Sequence, residues 1–343
     1  MSKPRAERKI AFLFTSSREG LLERVRMGEE PDTALRGLNH LAHADIVNLS
    51  EARHWLFLVP RLLRYDAVVA SDALPLGFLV SLLGRLRRRR TCWGYVAMTT
   101  STLLRRNAKR PLKRFALRLF WKSYGQIVCL SSAQKGDLLQ IGIPSARLAF
   151  VPFGIDAGFY GAAPETPQGE FVLSVGRDAG RDYAALLAAA RRTEHPFIIV
   201  ASHRVLPQEV ELPPNVSVRY NVPAQELRTL YGQARLVVVA SKPESEPVGS
   251  DCSGQTVALD ALAAGKPVVA TERSWITDYL VPGEDLVVVP PGDPASLAAA
   301  IELLLQDPAL AAHLAASGQG KVRSRYTTEA FARSLLNLIE NSQ

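Results

Sequence analysis

The chain has 343 residues, 47% of them hydrophobic and 22% charged, the balance of a soluble globular protein with room for two domains of ordinary size. Its three cysteines, Cys92, Cys129 and Cys252, stand far apart and are odd in number, so neither a disulfide framework nor a zinc cluster is implied and a reducing cytoplasm is the expected compartment. The net charge of +8 is unevenly divided: residues 1–165 carry 26 Lys and Arg against 13 Asp and Glu, residues 166–343 carry 15 against 20.

Along the chain, short apolar runs alternate with helical patterns, the mark of parallel sheets built from βαβ units. The basic N-terminus (Lys3, Arg5, Arg8, Lys9) leads into a first strand over 9–15, whose apolar part is too short for a signal peptide. Further strands are expected at 45–50, 67–71, 90–95 and 126–131, and helices at 74–87, 111–124 and 133–141, the last stopped by Gly142 with Pro144 beyond. Basic residues concentrate at Arg85 and Arg87–Arg90, and again at Arg105, Arg106, Lys109, Arg110, Lys113 and Arg114. Such clusters suit anionic lipid headgroups or another acidic partner, or form a solvated face that aids solubility. A nucleic acid is not the expected partner, because no zinc-finger spacing, helix-turn-helix or RNA-binding strand motif accompanies the charge.

The turn-rich segment 158–169 (Gly161, Pro164, Pro167, Gly169) is expected to link two domains, 1–160 and 161–343, with the last helix free to pack back on the first domain. Beyond it, strands are expected at 171–175, 197–201, 216–220, 236–241, 267–271 and 285–289, with helices at 183–192, 224–233, 254–264, 294–306 and 327–339. No apolar run approaches the ~20 residues needed to span a bilayer.

The densest signal lies over 251–270. Asp251-Cys252-Ser253-Gly254-Gln255-Thr256 is a small polar loop opening a helix that carries Asp260, and Gly265-Lys266-Pro267 ends it before an apolar strand. A glycine loop at a helix start presents backbone N–H groups and a positive dipole end to an anion, and Asp260 could accept from ribose hydroxyls. The plain alternative is one more amphipathic helix of an α/β domain.

Four segments together resemble the family 4 (group 1) retaining glycosyltransferases, in their Ser-Gly-Gln-loop branch. They are Leu130-Ser131-Ser132 through Val151-Pro152-Phe153-Gly154-Ile155-Asp156; Ser174-Val175-Gly176-Arg177 with Arg181-Asp182-Tyr183; Leu230-Tyr231 through Val239; and 251–294. The resemblance implies an α/β fold of the GT-B kind, two Rossmann-like doubly wound domains facing a central cleft. It implies a hexosyltransferase that takes sugar from a nucleoside diphosphate donor to a saccharide, lipid-linked or small-molecule acceptor, as in cell-envelope polysaccharide synthesis, with neither cofactor nor obligatory metal. Arg177 and Arg181 stand where the family clamps the leaving diphosphate. Ser253, Gly254, Gln255 and Thr256 stand at the sugar and phosphates, Asp260 at the ribose, and Val222 at the base, read by backbone.

The chain departs from the family at two points. Eight positions before Asp260 stands Cys252, where the family has its first acid, and anchoring on Gly254 instead makes Asp251 the match. No histidine lies between His54 and His195, so the region 93–100 offers only aromatics and hydroxyls, and no general base is assigned. These departures keep open a rival, a GT-B-like pseudoenzyme that binds nucleotide or an anionic partner without turnover. The basic first half is expected to hold the acceptor, through the loop 15–20, and to suit an anionic membrane surface. The run 74–86 is the candidate for dipping into that surface, which would place the protein peripherally on the inner face of the membrane.

Overall fold

The computed structural model describes residues 9–48, 58–71, 92–162 and 169–341. Ile10–Phe14, the first strand (β1), is apolar at all five positions and buried at all five, as a strand covered on both faces of a parallel sheet must be. It pairs in parallel with β2 (Ala44–Asn48) and β3 (Ala67–Ser71), and β4 (Cys92–Ala97), β5 (Gln126–Cys129) and β6 (Leu148–Phe150) extend the sheet in the order β2-β1-β3-β4-β5-β6. A second all-parallel sheet follows, made of β7 (Val172–Val175), β8 (Phe197–Ala201), β9 (Val216–Tyr220), β10 (Leu236–Val239), β11 (Val268–Thr271) and β12 (Val287–Val289). Its order is β12-β11-β10-β7-β8-β9.

Both orders are doubly wound. The strand order reverses between β1 and β3 in the first sheet and between β7 and β10 in the second, and a crevice opens outside the carboxyl ends of the strands at such a reversal. The α/β expectation and most strand positions agree with the sequence reading, with ends shifted by a few residues; the strand expected at 90–95 forms at Cys92–Ala97. The helix expected at 74–87, the Arg85 and Arg87–Arg90 cluster and His54 lie outside the described residues.

The chain divides into two compact units. One comprises the chain up to Phe153 without Met27–Pro31, together with the C-terminal segment from Thr328; the other comprises Gly154–Thr327 with Met27–Pro31. The last helix, Thr328–Asn341, therefore belongs to the first unit, where Asp32 Oδ2 gathers the Thr328 hydroxyl at 2.9 Å, the Asn39 amide at 2.8 Å and His40 Nε2 at 2.8 Å. Part of the expected linker is ordered differently from its sequence signal: Ala157–Gly161 forms a helical turn capped by the Asp156 carboxylate, which accepts from Phe159 N–H. An 18-residue helix, Pro308–Arg325, was not expected at all. Among the described residues no single helix is long and apolar enough to cross a membrane.

Candidate active site at the carboxyl ends of β7 and β10

The second sheet's reversal brings two loops together. The first, Gly176–Asp182, leaves β7 and ends where Asp182 caps the helix Tyr183–Ala190 by accepting from Ala185 N–H. The second runs from Ser241, after β10, to Gly254, which opens the helix Gln255–Ala263. Their backbones pair directly: Arg181 forms an antiparallel bridge with Ser241, Asp182 N–H donates to Ala240 carbonyl, and Lys242 N–H donates to Gly180 carbonyl at 2.8 Å. Asp178 stitches them again, its carboxylate accepting from Gly180 N–H at 2.8 Å and from Ser250 N–H at 2.9 Å. Behind the second loop, the buried Arg273 donates to the carbonyls of Lys242 and Asp251, both at 2.9 Å, and the Trp275 indole donates to Ser253 carbonyl.

Glycines set how closely the two loops approach. Gly254 takes φ +91°, where a side chain is strained, and a Cβ there would stand 2.5 Å from Val239, 3.0 Å from Arg181 Nη1 and 3.3 Å from Ser241 Oγ. At Gly176 a Cβ would collide with Arg181 Nε and stand 2.8 Å from its Cγ, so the Arg181 side chain lies folded across that glycine.

Arg181 is the unusual residue of this crevice. It is 6% exposed, yet its Nε and Nη1 have no hydrogen-bond partner, and it forms no ion pair with Asp178 or Asp182. Burial lowers its pKa, opposed by the negative charges of neighbours that include Asp178. Three more buried groups without partners, Ser241 Oγ, Ser253 Oγ and Gln255 Nε2, belong to the same two loops and the helix start. No side chain caps the helix Gln255–Ala263. Buried donors without acceptors are rare in folded proteins, and several at one helix N-terminus describe a place for an anion.

The predicted residues fall into distinct settings. Arg181, Ser253, Gly254 and Gln255 share this crevice, with Thr256 half-buried in the helix's first turn. Arg177 is on the same turn as Arg181 but exposed. Asp251 is buried and Cys252 half-buried in the second loop. Asp260 sits in the helix interior, 8% exposed, with Oδ1 unpartnered; burial, and then the charge of Asp156, holds its carboxyl well above the usual carboxylate range. The Tyr231 hydroxyl is also buried and unpartnered, and burial followed by the Asp260 charge pushes it up as well. Val222 is buried just after β9, next to Asn221, which holds a positive φ of 53°.

In the first unit, the loop 15–20 follows β1 at that sheet's own reversal. There Arg18 N–H donates to Asn48 Oδ1, and its guanidinium lies 4.8 Å from the Phe14 ring centre. Tyr95, in the histidine-free stretch 93–100, is a core residue packed on Tyr124 and Phe120. His40 and His195 pair with Asp32 and Glu302, and His203 stacks on Tyr220. Among the described residues no group of three or more His, Cys, Asp or Glu is placed to hold a metal ion.

Two family descriptions match successive stretches of the chain: Glycosyl transferase 4-like domain over residues 12–154 and Glycosyl transferases group 1 over residues 172–307. The chain belongs to the group 1 glycosyltransferases. A curated relative, the lipopolysaccharide core biosynthesis glycosyltransferase LpsD of Rhizobium meliloti (strain 1021), is 29% identical over 186 residues. That match spans 51% of this chain and 51% of the relative, so the chain spans about half the length of the relative it matches. Among solved structures, HepE of Anabaena in complex with UDP-glucose is similar, with TM-score 0.73 and 17% identity over 98% of this chain and 100% of that one. Sucrose-phosphate synthase of Thermosynechococcus elongatus is similar at TM-score 0.68 and 20% identity, over 98% and 99% of the two chains. At these identities the likeness establishes the fold, which is that of GT-B glycosyltransferases.

Sequence reasoning missed Ser241, Asp178 and Arg273. Asp178 had a legible signal, an acidic residue two positions before the glycine it caps. Ser241 and Arg273 had none, because their part depends on loops that meet only in the folded sheet.

Proposed function

We propose that this protein is a retaining glycosyltransferase that moves a sugar from a nucleoside diphosphate donor to a saccharide, lipid-linked or small-molecule acceptor without an obligatory metal. The observation that carries the reading is Arg181: a buried guanidinium with two unpartnered nitrogens beside a glycine-opened helix start. A cation kept dry and unpaired interacts strongly with an anion that arrives, and arginine meets phosphate oxygens with several donors at once. As the sugar–phosphate bond stretches, negative charge grows on the leaving oxygen, so this contact is stronger in the transition state than in the ground state. Ser241 and Ser253 hydroxyls and the Gln255 amide supply neutral donors to the same group, and Arg177 an exposed second cation.

Asp260, kept from water, accepts hydrogen bonds from the donor's ribose hydroxyls, and Val222 meets the base through its backbone. The uridine diphosphate donor is the first to try, because the similar HepE structure contains UDP-glucose. The acceptor binds to the basic first half. Retention and metal independence are tested together by proton NMR of the product in excess EDTA. An α-linked product from an α-linked donor, formed at the same rate with the chelator, is expected. An inverted anomeric centre, or a rate that needs added divalent metal, would overturn the respective half of the proposal. The rival reading as a non-catalytic nucleotide-binding protein is favoured by Cys252 at the place of the family's first acid, and it predicts binding with no product.

A further inference from the structure

The helix Pro111–Ser123 in the first unit carries two apolar faces. Trp121 is fully buried and Leu117 and Phe120 pack on the core of the first sheet, which accounts for the inward face. Leu112, Phe115 and Leu119, at helical spacing on the opposite side, are 84%, 57% and 47% exposed. An amphipathic helix in a soluble fold needs one apolar stripe, so the second has no use in folding.

Charge surrounds that outer face. From Arg105 to Lys122 the sequence holds eight Lys and Arg (Arg105, Arg106, Lys109, Arg110, Lys113, Arg114, Arg118, Lys122) and no Asp or Glu. Lys109, Arg110, Lys113 and Arg114 are exposed and form no ion pair among the described residues. Beside Phe115 a groove of about 370 Å³ is lined by Arg114, Arg118 and the segment Gln140–Gly142. The Arg118 guanidinium lies against Gly142, where a Cβ would stand 2.8 Å from Nη2, and its Nε is buried without a hydrogen-bond partner.

We infer that this face docks on the surface of an anionic phospholipid bilayer, the helix lying in the interfacial plane. Leu112, Phe115 and Leu119 enter the boundary between headgroups and acyl chains, the exposed lysines and arginines meet the lipid phosphates, and Arg114 and Arg118 flank a groove for one headgroup. An apolar stripe edged by cations is the pattern of interfacial helices, whereas a protein partner for a patch with no acidic residue would need an unusually acidic complement. Binding is independent of the transferase reading, because none of these residues belongs to the crevice at β7 and β10.

The test is co-sedimentation of the full chain with vesicles of phosphatidylcholine containing two-fifths phosphatidylglycerol, beside vesicles of phosphatidylcholine alone. Strong binding to the anionic vesicles only is expected, falling as salt rises from about 0.1 M to about 1 M and the screening length shrinks from about 10 Å to about 3 Å. Arg110→Gln, Lys113→Gln and Arg114→Gln each lower the partition coefficient by about fivefold. Leu112→Ser with Phe115→Ser and Leu119→Ser lowers it by about tenfold or more. These side chains are exposed, so thermal unfolding of the variants without vesicles stays as in the parent. A Phe115→Trp variant gives a second readout, with emission shifting to the blue and resisting acrylamide only when anionic vesicles are present. Equal binding to both vesicle types, or no binding to either, would overturn the inference. So would a concentration-dependent dimer that the triple serine variant abolishes, while vesicles leave the emission of the Phe115→Trp variant unshifted.

Discussion

Replacing Arg181 with Met should make the protein more stable and useless for nucleotide binding, and the two effects can be read from one set of samples. Arg181 is 6% exposed, and Nε and Nη1 have no acceptor. A buried polar group left without a partner costs about 1–3 kcal/mol. Met has a similar length and needs no acceptor, so Arg181→Met removes that cost and loses only a diffuse attraction to Asp178. The net expectation is a gain of about 1–3 kcal/mol for the ligand-free protein, the lower half of the range once the lost attraction is counted. Each kcal/mol moves the midpoint of a domain of about 150–250 residues by about 2–4 °C. Scanning calorimetry of parent and variant, with and without UDP, is the assay. In the parent, a nucleotide at about one hundred times its dissociation constant adds about 2.7 kcal/mol; in the variant that increment disappears. A variant that melts below the parent and still responds to UDP would show that Arg181 is a structural residue and not a phosphate clamp.

Other residues of the crevice carry their own expectations. Gly176→Ala puts a Cβ into the Arg181 side chain and should weaken UDP binding by about tenfold or more by isothermal titration, since a misplaced clamp loses its charge-assisted bonds. Asp178→Asn removes the anionic acceptor shared by Gly180 and Ser250 and should cost about 1–3 kcal/mol in chemical denaturation, with faster amide exchange at Ser250. Burial raises the Asp260 pKa in the folded state, so its contribution to stability is fully present below the unfolded value of about 4 and is lost as pH rises through the folded value. Asp260→Asn should therefore flatten that part of the pH–stability curve and raise stability at neutral pH, while weakening nucleotide binding; a curve of unchanged slope would contradict the assignment.

The parallel sheets were legible because their strands are buried on both faces, and runs such as Ile10–Phe14 and Leu236–Val239 leave little choice of element. The helix Pro308–Arg325 was not, although Asp307 and Pro308 form a clear start. Gly318 and Gly320 read as breakers within it. In the fold, Gly318 lets the helix approach Leu262 and the Asp285 carbonyl, where a Cβ would stand 2.5 Å and 3.1 Å away. Spacing picked out the Gly254 loop and Asp260, and a helix start with glycine carries its chemistry locally. The burial of Arg181 was invisible, because it follows from Gly176 beneath it and Ser241 across from it, residues brought together by strand order rather than by sequence distance. The two faces of Pro111–Ser123 were hidden for a related reason: periodicity shows that a helix is apolar on two sides without showing which side the sheet covers.

Turnover of a nucleotide sugar through the Arg181 crevice has a direct test. Nucleoside diphosphate release should be followed over a panel of UDP-, GDP-, ADP- and dTDP-sugars, for the parent chain and Arg181→Met side by side. Release from one donor class by the parent is expected, reduced by about a thousandfold in the variant, as for loss of a main charge-stabilising group. Tight nucleotide binding with no release from any donor, or equal release by both proteins, would contradict it.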